Sequence, residues 1–426
     1  MRIDQLHLKN FRKFSDLTLD LHPHFTLLVG GNASGKTTIL DALAVSLGVW
    51  LATLPAIDRN FPHPTIQLTD MRLTHKKVAD RIQFDKQPPV SVKASGQIYG
   101  KIRINWWQTL KATLDRDAEK AVGEMIRKIQ KNNPLSDCPV LAYYGVTRAA
   151  LKEPKTSNQM IPSQRWDAYV NCLNAHIDYD ELRRWFYRET AAAGANGGRS
   201  RPSYEVVRRA VFGCVPGADD MWFDVDRADL VCSIGGVAQP LGNLSDGQRM
   251  LLAMVADIAI KAVTLNAHLI PADKLDPDDE LLVLKKTPGV VLIDELDLHL
   301  HPSWQRRVAA DLKRTFPAIQ FVCTSHSPQI IGEVPPEQIR IIDGDAVYSP
   351  AHSFGVDSSR ILEEIMDTKP RTESVDKLLS KLSRQISDDD FDGAKVTIQE
   401  AIKSLGENDP EITSARTLMS FVGQNA

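Results

Sequence analysis

The strongest constraint on this chain is a glycine-rich turn near its N-terminus. Gly30-Gly31-Asn32-Ala33-Ser34-Gly35-Lys36-Thr37 fits the pattern GxxxxGK[ST], and Thr38 follows directly. The apolar run Phe25-Thr26-Leu27-Leu28-Val29 precedes it, and Leu40, Leu43, Ala44 and Leu47 follow at helical spacing. This predicts a buried strand, a phosphate-cradling loop, and a helix whose positive N-terminus faces the phosphates. Backbone N–H groups between Gly30 and Thr38 would curl around phosphate oxygens. Lys36 would reach the β- and γ-phosphates, and the Thr37 hydroxyl would ligate Mg2+.

A second stretch supplies acids. Val290-Val-Leu-Ile-Asp294-Glu295 reads as a buried parallel strand that ends in two carboxylates at the sheet edge where the phosphates bind. Asp294 is the candidate magnesium holder, and Glu295 is the candidate for orienting or deprotonating the attacking water. A third stretch, Leu244-Ser245-Asp246-Gly247-Gln248-Arg249, stands ahead of the apolar helical pattern Met250, Leu251, Leu252, Met254 and Val255. Ser245, the backbone near Gly247 and the helix start can form a second anion site, and the same residues can act as a helix N-cap.

At this point the chain resembles the ABC ATPase superfamily, whose LSGGQ signature reads here as LSDGQ. The resemblance implies a dimer in which Ser245, Asp246, Gly247 and Gln248 dock on ATP held by the opposite head. It also implies a D-loop role for Asp297 and a switch role for His326, in Thr324-Ser-His326-Ser-Pro328, contacting the γ-phosphate. Asn10-Phe-Arg12 resembles the entry of RecF-, SMC- and OLD-like heads, which implies that Arg12 lies near the nucleotide. The Q-loop glutamine is not separable among Gln67, Gln97 and Gln108. The implied fold is α/β, an ABC-type head with a mixed sheet and flanking helices, and the implied cofactors are ATP and Mg2+.

Composition restricts the rest. A chain of 426 residues with formal charge -3 has no basic excess to mark a dedicated DNA binder. The five cysteines form no CxxC pair, so neither a disulfide framework nor a structural zinc site is expected. No apolar run reaches a membrane span, and the N-terminus lacks a signal-peptide core. A cytoplasmic protein without membrane contact is expected.

The expected organisation is a discontinuous head from 1–50 and 210–352, an inserted α+β and helical lobe at 51–209, and a C-terminal helical extension at 353–426 for partner or oligomer contacts. Within the lobe, 88–107 reads as a hairpin turning near Tyr99-Gly-Lys101, 115–131 as a charged helix, Val140–Tyr144 as a strand, and 190–203 as a mobile loop. An acidic loop is expected at 271–280.

The run Asp294-Glu-Leu-Asp-Leu-His299-Leu-His301-Pro is similar to soluble defence and repair ATPases. With LDALA after the P-loop, Ala142-Tyr-Tyr-Gly145 and the tail Gly355–Ile365, the chain resembles the PtuA-type ATPases of Septu and retron anti-phage systems. That resemblance implies a homodimer or higher homo-oligomer that gates a separate HNH-type nuclease (PtuB-like). In retrons it further implies a reverse transcriptase and its DNA, with nucleic acid reached mainly through the complex. Asp343-Gly-Asp345 reads as a hairpin turn rather than a nuclease site in this chain. His299 and His301, two residues apart, lack the further ligands a metal needs. Arg183, Arg184, Arg188, Arg199, Arg201, Arg208 and Arg209 lie among acids and read as a solvated helix face, with a phosphate-tracking surface as the alternative. A RecF- or SMC-like ATPase acting directly on DNA is the rival reading, and a transporter motor a remote third.

Overall fold

The computed structural model describes residues 1–52, 63–78, 81–98, 102–110, 114–115, 137–149, 165–271, 275–276 and 279–422. The turn expected at 99–101, the charged helix beyond Asp115 and part of the loop 271–280 lie outside them. The chain divides into two compact units, Met1–Ser358 and Ser359–Ala426.

The first unit is organised around a six-stranded mixed sheet. Strands β3 (Phe25–Val29), β9 (Val140–Tyr144), β13 (Gly289–Ile293), β14 (Ile319–Thr324) and β15 (Ile339–Asp343) run parallel, and β16 (Ala346–Tyr348) returns antiparallel at one edge. The order is β16-β15-β3-β14-β13-β9. Every residue of β3, β9, β13 and β14 is buried. Their unbroken apolar runs are what a sheet covered on both faces requires. Because β3, β13 and β14 are parallel and adjacent or next-but-one, the segments leaving their carboxyl ends converge on one edge.

A second, antiparallel sheet has the order β2-β1-β6-β7-β8, from β1 (Arg2–Phe11), β2 (Phe14–Asp20), β6 (Val90–Ile98), β7 (Ile102–Leu110) and β8 (Leu114–Asp115). Helix α1 (Lys36–Leu51) packs against β13 and β14 and also against β6 and β7. It is buried almost all round, as its lack of a polar face demands. Trp106 Nε1 donates to the Ser46 carbonyl at 3.0 Å and Gln108 Nε2 to the Val45 carbonyl at 3.2 Å, which pins α1 to β7. Strands from the 51–209 segment thus belong to both sheets: β9 pairs with β13, and β6 with β1. A hairpin, β4 (Leu73–Val78) with β5 (Arg81–Lys86), and a small sheet, β10 (Ala218–Asp224), β11 (Asp229–Ile234) and β12 (Val237–Pro240), complete the strands.

Residues 190–203 correct the sequence reading. Helix α2 (Tyr179–Ala195) continues through the alanines, and α3 begins at Pro202 and ends at Cys214, leaving only 196–201 between them. Alanine is the best helix former, and proline suits the first helical position. Helix α4 (Asp246–Leu265) begins at the signature, α5 spans Leu282–Lys286, α6 spans Pro302–Thr315 and α7 spans Pro328–Ile331. Asp343 and Asp345 flank Gly344, at φ 61°, in the β15–β16 hairpin, and Asp345 accepts from Ser15 N at 3.1 Å.

Helix α8 (Ser358–Glu364) starts at the last residue of the first unit, and the second unit starts at Ser359. That unit is a helical bundle of α9 (Glu373–Ser387), α10 (Phe391–Leu405) and α11 (Pro410–Val422). Leu382, Ala394, Ile398, Ala401, Ile412 and Ala415 form its core.

Candidate functional site

Three parallel strands deliver the site's backbone. The loop after β3 takes two positive φ values, Ala33 at 60° and Gly35 at 96°. Gly35 is also sterically required, since a Cβ there would stand 2.5 Å from Phe14 Cζ. Lys36 is 7% exposed and folds back over the loop. Its Nζ donates to the Gly30 carbonyl at 2.9 Å, the Gly31 carbonyl at 3.0 Å and Ser34 Oγ at 3.3 Å. Burial lowers its pKa, opposed by Asp294 and Glu295. The start of α1 has no side-chain cap, which leaves its first N–H groups suited to an anion.

Asp294 is 3% exposed at the end of β13, and each carboxylate oxygen is engaged. Oδ2 accepts from Thr37 Oγ1 at 2.8 Å and Oδ1 from Thr324 Oγ1 at 2.7 Å. Thr324 Oγ1 in turn accepts from Glu295 N at 2.7 Å. Thr37 and Asp294 thus present hard oxygen donors side by side beneath the loop, the donor type that magnesium accepts with water and phosphate completing its shell. Among the described residues no group of three or more His, Cys, Asp or Glu is placed to hold a metal. His301 instead caps α6, with Nδ1 accepting from Ser303 N at 3.3 Å.

A cleft of about 410 Å³ gathers Arg12, Lys13, Asn32, Ala33, Gly35 to Thr38, Asp294, Glu295, Thr324 and His326. Asp297 lies beside it, accepting from Ser325 Oγ at 2.6 Å and from His326 N at 3.3 Å. The N-terminal entry wraps the loop, since Lys13 Nζ donates to the Ala33 carbonyl at 2.8 Å. Arg12 bridges Asp70 (Nε to Oδ1, 2.8 Å) and Asp41 (Nη1 to Oδ2, 2.5 Å). Its burial acts to lower its pKa, but the two aspartates outweigh that and the net shift is upward. Tyr143 fixes the other Asp41 oxygen at 2.8 Å.

The signature residues are not part of this cleft. Ser245 caps α4 in a capping box: its Oγ accepts from Gln248 N at 3.4 Å, and Ser245 N donates to Gln248 Oε1 at 3.0 Å. Asp246 pairs with Arg249 at 2.5 Å. Gly247 presses on the turn after Asp297, where a Cβ would stand 2.2 Å from the His299 carbonyl oxygen. Gln67, Gln97 and Gln108 do not line the cleft either. Gln67 bonds Thr65 and Gln108 bonds α1.

Three contributors escaped the sequence reading. Asp41 and Asp70 hold Arg12, and Arg148, 1% exposed, reaches the backbone of Asp294 and Glu295. Asp41 lies one helical turn beyond Thr37, a signal that was available. Arg148 follows β9 with no pattern to mark it. Six of the seven arginines of the cluster pair with acids: Arg183 with Asp229 at 2.8 Å, Arg184 with Glu181 at 2.9 Å, Arg188 with Glu181 at 3.2 Å, Arg201 with Glu189 at 3.3 Å, Arg208 with Glu205 at 2.8 Å and Arg209 with Glu205 at 3.0 Å. No helix among the described residues is long and apolar enough to cross a membrane.

Two family models match. An AAA domain covers residues 5–185, and a second AAA domain, whose description also names the AbiEii toxin of a type IV toxin–antitoxin system, covers 234–332. The "Retron Ec83 probable ATPase" of Escherichia coli is 24% identical over 89% of this chain and 79% of its own length. The "Retron Vc95 probable ATPase" of Vibrio cholerae is 24% identical over 80% of this chain and 74% of its own. The Septu protein PtuA of Bacillus mycoides is 22% identical over 76% of this chain and 38% of its own. The solved SMC head domain from Thermotoga maritima aligns with 82% of this chain and 98% of its own at 14% identity and a TM-score of 0.43, too distant to add to the topology above.

Proposed function

We propose that this chain, an ABC-type P-loop ATPase similar to those of retron and Septu systems, closes as a dimer on ATP and uses that closure to restrain or release a partner effector nuclease. One observation carries the dimer reading. The cleft collects Arg12, Lys36, Thr37, Asp294, Glu295 and His326, while Ser245 to Gln248 do not line it and Gly247 packs on the His299 backbone instead. A second copy is the natural source of the missing signature, since a head-to-head pair offers the same patch twice.

Each residue then has a task. Lys36 exchanges the loop carbonyls it now bonds for phosphate oxygens. Arg12, steadied by Asp41 and Asp70, keeps a fixed positive charge at the mouth of the cleft. Thr37 and Asp294 would hold Mg2+, which when bound neutralises phosphate charge. Glu295 orients the attacking water and accepts its proton at the carboxylate. His326, backed by Asp297, faces the transferred phosphoryl group. The partner's Ser245 and the start of its α4 complete the anion site.

The partner reading rests on the retron and Septu relatives, whose likeness runs through most of this chain. Its test uses Glu295→Gln. That variant should hold ATP without turning it over, elute as a dimer with ATP and Mg2+, and lock a co-expressed HNH-type partner nuclease in one activity state. Hydrolysis at the parental rate rejects the role of Glu295, and nuclease activity indifferent to the variant rejects the gating role.

A further inference from the structure

Arg148 heads the fully buried side chains by size, yet among the described residues its guanidinium bonds no carboxylate. Nη1 donates to the Gly145 carbonyl at 3.0 Å and to the Asp294 carbonyl, and Nη2 donates to the Glu295 carbonyl at 2.5 Å. Among the described residues its Nε has no partner. A guanidinium is costly to bury, and a planar fork that spends its donors on successive carbonyls fixes the backbone that bears them.

The backbone in question is unusual. Glu295 sits at φ 47°, in the left-handed region that a side chain disfavours. Its peptide is gripped at both ends, with N donating to Thr324 Oγ1 at 2.7 Å and the carbonyl accepting from Arg148. The next amide, Leu296 N, donates to the Thr324 carbonyl at 2.8 Å. On the other side, Tyr179 Oη donates to the Arg148 carbonyl at 3.2 Å and holds the short turn that carries the arginine. Burial pushes the Arg148 pKa down to about 10, opposed first by Asp294, so it stays charged at neutral pH.

We propose that Arg148 is a positioning residue for hydrolysis: its fork on the Asp294 and Glu295 carbonyls holds Glu295 in its left-handed conformation and keeps its carboxylate aimed into the cleft. This rests on the reading of Glu295 as the residue that handles the attacking water.

The experiment compares Arg148→Lys, Glu295→Gln and the double variant in the full-length protein, measuring kcat and the ATP dissociation constant. Lysine keeps the charge and loses the fork. Misplacing a reacting group by about 1 Å costs on the order of 10²-fold. Arg148→Lys should therefore lower kcat by about that factor while ATP affinity moves less than about threefold, a split that a loss of packing alone would not give. In the Glu295→Gln background it should cause no further loss. A folded Arg148→Lys protein with parental kcat, or with affinity falling in step with kcat, overturns the inference. If that variant does not fold, Tyr179→Phe decides: about fivefold lower kcat at unchanged affinity supports the inference, and parental kcat overturns it. Parental turnover in Glu295→Gln would instead sink the reading of the site itself.

Discussion

The Thr37 hydroxyl donates to Asp294 Oδ2 at 2.8 Å, joining residues 257 positions apart in the chain. The contact exists because β3 and β13 flank β14 in parallel, so the loop leaving one strand and the acid ending another meet at the same edge. Both oxygens are hard donors, and the pair is the geometric core of the expected magnesium site.

Thr37→Ala removes one of those donors without touching Lys36. ATP turnover should fall about 10- to 100-fold at limiting Mg2+ and recover partly as Mg2+ is raised, since one ligand is lost and the carboxylate remains. Steady-state rates across a Mg2+ titration check this. A parental Mg2+ dependence would show that Thr37 does not ligate the ion.

Gly247→Ala tests how the signature helix is seated. A Cβ at this position would stand 2.2 Å from the His299 carbonyl oxygen. Alanine elsewhere in a helix stabilises by up to about 1 kcal/mol relative to glycine. Here the forced shift should cost about 1–3 kcal/mol. Urea unfolding of the two proteins gives the sign directly, and a more stable Gly247→Ala protein would contradict the close approach.

Lys36 predicts a proton linkage. Burial lowers its pKa in the nucleotide-free protein, and phosphate oxygens placed around it raise that pKa. Binding should therefore take up a proton in the pH window between the two values, which starts below the ordinary lysine range. At lower pH the lysine is charged in both states and the uptake vanishes. Calorimetry in buffers of different ionisation enthalpy should show uptake growing toward alkaline pH, where the phosphates are already fully ionised. Lys36→Arg should abolish it, because arginine does not titrate there. Proton release at alkaline pH in the parent would contradict the assignment.

What the sequence disclosed about this fold and site was local. The run Phe25–Val29 followed by glycines and a helical pattern identifies its own strand, loop and helix, because each signal lies within a few residues. Asp294 and Glu295 were legible for the same reason, as an apolar strand with acids at its end. Ser245 was legible twice over, since a helix N-cap and an ABC signature share the same residues, and the structure closes that cap as a capping box. The pairing of β6 with β1, which sets Ile3 against Gly96, carries no local mark. The extension of α2 to Ala195 was hidden because glycine and asparagine nearby suggest a loop, while the alanines between them favour helix. Arg148 was illegible on principle. A buried arginine is recognised by the carbonyls it meets, and two of the three here, those of Asp294 and Glu295, follow a strand far along the chain.

If one active site draws Lys36 from one copy and Ser245 from another, two inactive variants should rescue each other when mixed. Lys36→Ala and Ser245→Arg proteins should each hydrolyse ATP negligibly alone. Mixed in equal amounts, about half of the dimers combine the two, and each keeps one of its two sites intact. Turnover should then return to about a quarter of the parental rate. A mixture no more active than its components, or a Ser245→Arg protein that turns over ATP unaided, would show that each head works alone.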